Sequence, residues 1–334
     1  MTPNPAFRAA APVRLDFAGG WTDVAPFPLR ERGVVVNAAI ELRAHAEVRP
    51  GGDRYVLHSE DLGELQELNR GTLPAGAGLD LLKAALRRSG IDCCALRTWS
   101  DAPAGSGLGS SGALDVALTA ALDAAQGVVR SRADLAEEAF FLESVDAALP
   151  GGRQDQYAAA FGGFNKFTFT RGEVTVRPLT IDPAFAEELA RHTVICYTGV
   201  SRVSSRAIER VTGAYERADP AVTGALRALV DLAEEMAEAL EASALARVAH
   251  ILADNWLEQQ RLDGAMRTGE MAALEARMTE AGAYGGKAAG AGAGGSMFFL
   301  VPDPPRAVAA AARAGARVLP CRWARDGVAV EQHP

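Results

Sequence analysis

Blocks of apolar and polar residues alternate along the chain, and the period of the alternation changes from block to block. Apolar and β-branched residues with partial two-residue alternation predict a strand over 33–50. Apolar positions with helical spacing predict a helix over 77–90, and Gly90 marks its end. A second strand is predicted over 93–101, and it leads into a run of glycine and serine. The first part of the chain therefore mixes both types of element.

Helical spacing resumes directly after that run. It predicts helices at about 110–126 and 131–148, and Ser131 is placed to cap the second of them. A hairpin is predicted over 162–179, with its turn at Arg171–Gly172.

Long helices rich in Ala, Leu and Glu dominate the chain after Asp182–Pro183. Strands are predicted before and after these helices, over 192–200 and 296–302. The predicted helices cover 203–217, 220–240, 243–263, 268–282 and 304–315, and a last strand covers 317–323. Strands separated by helices in both halves indicate an α+β fold, and we expect two domains, residues 1–182 and 183–334.

Composition excludes several classes of protein. With 334 residues, 49% hydrophobic and 23% charged, the chain is long enough for a packed core and unlike a disordered protein. Its formal net charge of −8 argues against general affinity for nucleic acid or an anionic membrane, so any anion site must be local. The four cysteines form no CxxC pair and predict no zinc site. Residues 1–17 lack the pattern of a signal peptide, and charges interrupt every apolar stretch, so a cytoplasmic protein is expected.

Two segments are rich in glycine. Residues 105–112, GSGLGSSG, stand immediately before a predicted helix. Backbone N–H groups approach a phosphate closely where no Cβ intervenes, and a helix N-terminus adds unpaired donors and the positive end of the helix dipole. The alternative is a flexible surface loop. The second segment, 285–295, contains Lys287, one of only three lysines in the chain.

Neither segment is a standard nucleotide fingerprint. The first lacks the Gly-Lys-Ser/Thr ending of a Walker A loop, and the second precedes a strand where a dinucleotide fingerprint would open a helix. Two loops suited to phosphate in one acidic protein nevertheless suggest a nucleoside triphosphate held from two sides.

Such a ligand needs Mg²⁺, which takes one or two oxygens from the protein. Ser110 and Ser111 stand at the junction of loop and helix, where a hydroxyl can reach the metal. Glu143 supplies a carboxylate among apolar residues of a predicted helix, and Asp146 competes with it. The alternative for either carboxylate is an ordinary solvated position on a helix.

Asp155 stands between two amides, Gln154 and Gln156, and close to Arg153. A carboxylate in such surroundings can be held ionised as a general base. The alternative is a helix N-cap, a frequent use of Asp at such a junction.

Near the N-terminus, a Gly-Gly pair interrupts a strand and is followed by Trp21, Thr22 and Asp23. An aromatic ring beside Thr and Asp suits a sugar, because the ring stacks on its C–H face while the polar groups bind its hydroxyls. The alternative is an ordinary β-turn.

Three segments together resemble the motifs of the GHMP small-molecule kinases: APVRLDFAGGWTD, PAGSGLGSSGALDVAL and GGKAAGAGAGGSMFFL. The resemblance extends from Arg14 to about Leu300, and within the family it is strongest to the heptose 7-phosphate kinase branch. It implies an N-terminal part like ribosomal protein S5 domain 2, a ferredoxin-like C-terminal part and an active site in the cleft between them. It also implies ATP and Mg²⁺ as cofactors.

The resemblance implies roles for individual residues. Ser111 and Glu143 would bind the metal, and Asp155 would act as the base with Arg14 beside it. The loop that wraps the phosphates of ATP would consist of Gly105, Ser106, Gly107, Leu108, Gly109, Ser110 and Ser111. The substrate-binding residues would be Trp21, Thr22, Asp23, Gly152, Arg153, Lys287, Gly290 and Gly292.

The sequence departs from the family pattern at three places. Ala289 stands before Gly290 where a hydroxyl side chain is usual, and one hydrogen bond worth about 1–2 kcal/mol is then missing if that position is buried. Trp21 and Arg153 each replace a small residue. Trp21 would narrow the sugar pocket, whereas Arg153 would bind a phosphate or carboxylate of the substrate.

The implied function is phosphorylation of the anomeric hydroxyl of D-glycero-D-manno-heptose 7-phosphate. The alternatives are a kinase of a free sugar such as L-fucose, a non-catalytic sensor of sugar and nucleotide, and a decarboxylase of a diphosphorylated acid. Cations for a phosphate already on the substrate would come from Arg14, Arg153, Arg202 and Arg206. The partner is a small sugar or sugar phosphate, and the Ala-rich helices either pair in a homodimer or pack internally.

Overall fold

The fold, taken from a computed structural model, is described for residues 4–76, 78–200 and 205–334. The strands are β1 (Ala6–Ala18), β2 (Gly33–Pro50), β3 (Arg54–Ser59), β4 (Glu64–Asn69), β5 (Cys94–Ser100), β6 (Phe164–Thr170), β7 (Glu173–Pro178), β8 (Thr193–Tyr197), β9 (Gly285–Ala288), β10 (Ser296–Leu300), β11 (Arg317–Leu319) and β12 (Ala329–His333). The α-helices are α1 (Phe27–Arg30), α2 (Asp80–Ser89), α3 (Ser110–Gln126), α4 (Arg132–Phe141), α5 (Gln154–Phe161), α6 (Pro183–His192), α7 (Ser205–Glu216), α8 (Pro220–Glu241), α9 (Leu245–Leu262), α10 (Gly269–Glu280) and α11 (Pro304–Arg313).

Two sheets form the framework of the described residues. The larger has eight strands in the order β12-β1-β2-β5-β3-β4, with β6 on the other half of the long β2 and β7 beside β6. Its pairs are antiparallel except for β3 with β5. The smaller sheet is antiparallel, with four strands in the order β11-β8-β10-β9. Helices α3 and α5 pack on the larger sheet and carry some of the polar side chains of the site, Ser110 and Ser111 on α3 and Gln154 and Asp155 on α5.

The two predicted domains share one sheet. Strands β8 to β11 belong to the second half of the chain and form the smaller sheet. Strand β12 also belongs to the second half, yet it pairs with β1 at the edge of the larger sheet. Helix α8 likewise packs on β1 and β2. The strands of the smaller sheet therefore all follow the predicted boundary at 182/183, whereas the larger sheet takes strands from both sides of it.

The sequence pattern predicted many of the elements, and one of its errors coincides with irregular backbone geometry. Helix α3 has the predicted bounds, and Ser131 caps α4 by accepting a hydrogen bond from the Asp134 N–H at 3.1 Å. The helix predicted over 131–148 ends at Phe141 and continues as a π-helical turn, Leu142–Asp146. That turn bears Glu143, so the irregularity coincides with the site. Among the described helices, none is long and apolar enough to cross a membrane.

A buried ion pair joins the two sheets. The ammonium of Lys287, in β9, donates to a carboxylate oxygen of Asp16, in β1, at 2.8 Å and to its backbone carbonyl at 2.7 Å. The two side chains are 0% and 2% exposed. Burial lowers the pKa of Lys287, and the Asp16 carboxylate opposes that shift. The buried charge on each sheet is therefore paired with an opposite charge from the other sheet.

We expect Lys287→Met to lower the free energy of unfolding by about 3–5 kcal/mol, because it leaves a buried carboxylate without its partner. The double variant Lys287→Met/Asp16→Leu should recover more than half of that loss, since no unpaired charge remains. Urea denaturation measures both. Arg277→Met, which breaks the exposed Arg277–Glu280 pair, is the control and should change little. Equal losses of unfolding free energy in the single and double variants would show that the ion pair does not stabilise the contact between the two sheets.

Candidate active site

One pocket collects residues from both halves of the chain. Its walls come from β1, the turn after β1, the glycine–serine loop before α3, the segment that joins the π-helical turn to α5, the start of α7, and the loop after β9. The residues that line it are Arg14, Asp16, Gly20, Trp21, Asp23, Val24, Gly105, Ser106, Gly107, Gly109, Ser110, Ser111, Glu143, Pro150, Gly151, Gly152, Gln154, Asp155, Ile208, Gly290 and Ala291. The structure thus brings together most of the residues singled out from the sequence.

The glycine–serine loop needs glycine for two reasons. Gly105, Gly107 and Gly109 have φ values of 67°, 73° and 78°, which other residues rarely adopt. A Cβ on Gly109 would also lie 3.0 Å from the carboxyl carbon of Asp155. Directly after the loop, α3 begins at Ser110 and its N-terminus borders the pocket. The loop therefore presents main chain and a helix N-terminus to the same space, as an anion site requires.

Arg14 connects the loop to the rest of the site. Its Nε donates to the Asp155 carboxylate at 2.8 Å, and its Nη1 donates to the carbonyls of Gly107 and Ala289 at 2.9 and 2.8 Å. The backbone N–H of Arg14 donates to the carbonyl of Leu108 at 2.9 Å. The Arg14 side chain is 5% exposed, whereas that of Asp155 is 27% exposed. One buried guanidinium therefore fixes the orientation of a carboxylate that the pocket can reach.

Ser111 and Glu143 meet at the opening of α3. The Ser111 hydroxyl donates to Glu143 Oε1 at 2.5 Å, and the Gln156 amide donates to Glu143 Oε2 at 2.6 Å. Burial raises the pKa of Glu143, and the hydrogen bond from Ser111 opposes the shift. A hydroxyl beside a carboxylate is a hard oxygen pair that suits Mg²⁺. Asp146 is excluded from this role because it pairs with Arg88 at 2.9 Å and does not line the pocket.

The described residues contain no group of three or more His, Cys, Asp or Glu arranged for a metal ion. A site of that kind is not required here, because Mg²⁺ commonly takes one or two protein oxygens and completes its shell with phosphate and water. Ser110, the alternative hydroxyl, also lines the pocket, but of the two serines Ser111 is the one that the structure shows hydrogen-bonded to Glu143.

Asp23 also lines the pocket, and it is 4% exposed. Its carboxylate accepts hydrogen bonds from the backbone N–H of Gln154 at 3.0 Å and from the Gln154 amide at 3.4 Å. Burial raises the pKa of Asp23 to about 6, and the backbone hydrogen bond from Gln154 opposes this. Gly152 permits the contact, since a Cβ there would lie 1.9 Å from Asp23 Oδ2. The pocket therefore holds a carboxyl group whose pKa is raised to about 6 by burial.

Some predicted substrate residues lie elsewhere. The Thr22 hydroxyl lies 2.7 Å from the Gly19 carbonyl and 2.9 Å from that of Val34, so it closes the turn after β1. Arg153 donates to the Gly172 carbonyl at 3.0 Å, and its guanidinium lies 4.5 Å from the centre of the Phe140 ring. Neither side chain lines the pocket. Thr22 holds the main chain of the turn, and Arg153 binds the Gly172 carbonyl and packs on Phe140.

In the second glycine-rich segment, too, some of the predicted substrate residues line the pocket and others do not. Gly290 lines the pocket, and a Cβ there would lie 2.4 Å from the Gly107 carbonyl. Lys287 is instead buried against Asp16, and Gly292 packs against Met266. Leu108 is buried behind the loop. Of the further arginines, Arg206 is exposed on α7 and Arg202 lies outside the described residues.

Among the polar residues that line the pocket, Asp16 and Gln154 had no predicted role. Asp16 lines the pocket while its carboxylate is held by Lys287, and Gln154 lines it while holding Asp23. The signal for Asp16 was a carboxylate inside a mostly apolar strand, which requires a buried cation as its partner. No comparable signal pointed to Gln154.

We expect Asp23→Asn to raise the free energy of unfolding by up to about 3 kcal/mol at neutral pH. The folded protein binds the Asp23 proton more tightly than the unfolded chain, so stability falls as the pH rises from about 4 to about 6. An asparagine carries no charge, and its amide can donate to the buried, unpaired Gln154 Oε1. Urea denaturation between about pH 4 and pH 8 measures the gain, with the exposed Asp92→Asn as control. A gain that is independent of pH would contradict this account.

Comparison with known proteins identifies the family of the chain. The sequence matches the GHMP kinases N terminal domain over residues 70–163 and the GHMP kinases C terminal domain over residues 236–320. The D-glycero-alpha-D-manno-heptose 7-phosphate kinase of Campylobacter jejuni is 33% identical over 308 residues, which is 90% of each chain. A bifunctional fucokinase/GDP-fucose pyrophosphorylase of Arabidopsis thaliana is 27% identical over 89% of this chain, which spans 30% of that longer protein.

The fold agrees with these matches. The crystal structure of a D-glycero-D-manno-heptose 1-phosphate kinase from Bacteroides thetaiotaomicron aligns with a TM-score of 0.80 and 27% identity, covering 97% of this chain and 98% of that one. Both the α+β class and the resemblance read from the three motifs are confirmed. This chain therefore belongs to the GHMP kinase family, and within that family it is a sugar kinase.

Proposed function

We propose that this sugar kinase transfers the γ-phosphate of ATP to the anomeric hydroxyl of D-glycero-D-manno-heptose 7-phosphate, with Mg²⁺ as its metal. The observation that carries the proposal is the Arg14–Asp155 ion pair, whose atoms lie 2.8 Å apart where the glycine–serine loop meets the pocket. The choice of substrate is supported by the heptose 7-phosphate kinase of C. jejuni, which matches nearly the whole chain.

The nucleotide phosphates bind at the glycine–serine loop and the N-terminus of α3. Phosphoryl transfer requires positioning and neutralisation of charge more than covalent chemistry. The main chain of the loop and the N-terminus of α3 supply fixed donors. Ser111 and Glu143 would hold the metal, and Gln156 orients the Glu143 carboxylate. A magnesium ion bound there would supply positive charge to neutralise the phosphate oxygens.

Asp155 accepts the proton of the sugar hydroxyl as that oxygen attacks phosphorus. Its Oδ1 is held by Arg14, which leaves Oδ2 for the hydroxyl. The guanidinium stabilises the ionised carboxylate and lies close to where charge develops in the transition state. The Gly109 and Gly112 positions bring the loop and α3 against Asp155, since a Cβ at Gly112 would lie 2.6 Å from the Asp155 Cβ. The loop that binds the phosphates and the proposed base are thus held close together.

The hydroxyl-bearing end of the sugar occupies the side of the pocket near Asp23. The described lining residues include four carboxylates, Asp16, Asp23, Glu143 and Asp155, and one guanidinium, Arg14, which is already paired. Carboxylates accept hydrogen bonds from hydroxyl groups and repel phosphate. The phosphate that the substrate already carries must therefore point away from these four groups.

The proposal is tested by ADP release with Mg·ATP against heptose 7-phosphate, free heptose, L-fucose, galactose and mevalonate. Turnover confined to heptose 7-phosphate is the expected result. Turnover on a free sugar alone would replace the proposed substrate, with L-fucose favoured by the match to the plant fucokinase. ATP binding with no turnover on the whole panel would favour the sensor and would overturn the catalytic proposal.

We expect Asp155→Asn to lower kcat by about 10²–10⁴-fold, because an amide cannot accept the hydroxyl proton. Binding of ATP should change by less than about threefold, since the loop and Arg14 remain. Asp92→Asn, at an exposed carboxylate paired with Arg70, is the matched control and should keep full activity. A variant at Asp155 with near-normal kcat would remove it from the role of base.

We expect Glu143→Gln to raise the Mg²⁺ concentration for half-maximal activity by about tenfold or more, because a neutral amide is a poorer ligand for a hard cation. Ser111→Ala should act in the same direction. Excess Mg²⁺ should restore much of kcat in both variants. The corresponding control is Asp146→Asn, whose wild-type carboxylate faces Arg88. Unchanged Mg²⁺ dependence in Glu143→Gln would assign the metal to other ligands.

A further inference from the structure

Two buried amide side chains stand on one face of α9. Asn255 and Gln259 are each 1% exposed and are four residues apart in the helix. Neither belongs to the described residues that line the pocket, and the phosphotransfer proposed above makes no use of them. Apolar residues at these positions would avoid the cost of burying a polar group, so both amides need an explanation.

Asn255 anchors the turn that follows β1. Its Oδ1 accepts a hydrogen bond from the backbone N–H of Gly19, the first residue after the strand, at 2.9 Å. The Gly19 carbonyl accepts in turn from the backbone N–H of Thr22 at 3.1 Å. Trp21 and Asp23, which follow Gly19 closely, line the pocket. The wall of the pocket that bears Asp23 is therefore attached to α9 through Gly19.

Gln259 anchors the loop that follows β9. Its Nε2 donates to the Gly290 carbonyl at 2.8 Å. The preceding residue, Ala289, accepts from Arg14 Nη1 at 2.8 Å, and Arg14 Nε donates to Asp155 at 2.8 Å. The segment held by Gln259 therefore supplies one of the partners that fix the Arg14 guanidinium beside the proposed base.

The chain directly after α9 holds the same loop farther along. The backbone N–H of Ala293 donates to the Met266 carbonyl at 2.7 Å. A Cβ on Gly292 would lie 3.0 Å from the Met266 Cβ, so the loop packs closely against that residue. The loop after β9 is thus attached at two points to α9 and the turn that follows it.

We propose that Asn255 and Gln259 are positioning residues, which together set the distance between the sugar-binding turn and the loop that supports Arg14. Residues four apart on one helix face have Cβ atoms about 5–6 Å apart, and the helix keeps that spacing constant. This inference rests on the proposed function, in which the sugar lies near Asp23 and Asp155 is the base.

The two amides act in opposite senses, so their roles can be tested separately. Asn255 accepts a hydrogen bond, and Gln259 donates one. Asn255→Asp keeps an acceptor oxygen for the Gly19 N–H and should behave like the wild type. Asn255→Leu and Gln259→Met are close in size to the native side chains, but each leaves a buried backbone group without its partner.

The experiment is steady-state kinetics with Mg·ATP and the sugar of the panel above that the wild type phosphorylates. Asn255→Leu should raise the KM for the sugar about tenfold and keep kcat within about threefold, because the turn that bears Asp23 loses its anchor. Gln259→Met should lower kcat about tenfold and keep that KM within about threefold, because Arg14 loses a fixed partner beside the base. Asn255→Asp should keep both constants within about twofold.

A matched control lies on the same helix. Gln260 Nε2 donates to the Trp256 carbonyl at 3.0 Å, within α9 itself, so Gln260→Met should keep both constants. Urea denaturation establishes that each variant is folded. Asn255→Ala takes the place of Asn255→Leu if the leucine variant does not fold, and the same rise in the KM for the sugar is expected of it.

The outcomes separate the positioning role from the proposed function. Unchanged constants in folded Asn255→Leu and Gln259→Met, with an active wild type, would overturn the positioning role alone. Parallel changes of KM and kcat in both variants would also overturn it, since they would indicate loosening of the whole pocket. A wild type that phosphorylates no sugar of the panel would overturn the proposed function, and the positioning role with it.

Discussion

Two charged residues on one face of β1 connect the two sheets and the loops of the pocket. Arg14 and Asp16 are two positions apart in a regular part of the strand, so their side chains point to the same side of the sheet. Arg14 reaches the glycine–serine loop, the loop after β9 and Asp155, and Asp16 reaches Lys287 in the second sheet. The pairing that joins the two sheets and the pairing that aims the proposed base thus depend on one short stretch of backbone. A shift of β1 by one residue would lose both.

Among the described residues that line the pocket, acidic side chains outnumber basic ones, and this excess suits the ligands proposed for it. Burial raises the pKa of both Asp23 and Glu143, and the negative charge of Asp155 adds to each shift. Carboxylates so close to one another destabilise the folded protein, and a cation that enters among them relieves the repulsion. These charges are consistent with the proposed binding of a metal and of hydroxyl groups, and they disfavour a second anion beside the carboxylates.

Local patterns predicted the parts of the structure that are themselves local. Helix α3 and the cap at Ser131 depend on residues within a few positions of each other; α3 has the predicted bounds, and Ser131 caps α4 as predicted. Lys287 and Thr22 were assigned to the substrate, but each has a partner that only the fold brings near, Asp16 in one case and the Val34 carbonyl in the other. Strands β4 and β12 were missed because their mostly polar, partly or fully exposed positions give little apolar alternation. Strand β3 was also missed, although every second position in it is buried. The role of Gln154 likewise depends on a contact across 131 positions of sequence.

The pairing of β12 with β1 has a consequence for the order of events during synthesis. Residues 6–10 of β1 align with residues 329–333, so one edge of the larger sheet is formed by segments from nearly opposite ends of the described chain. A ribosome that has made the first half of the protein has released a β1 with one open side. That edge offers unpaired N–H and C=O groups to any other strand until residues 329–333 have been made and can pair with it. The larger sheet is therefore completed only after more than three hundred intervening residues have been synthesised.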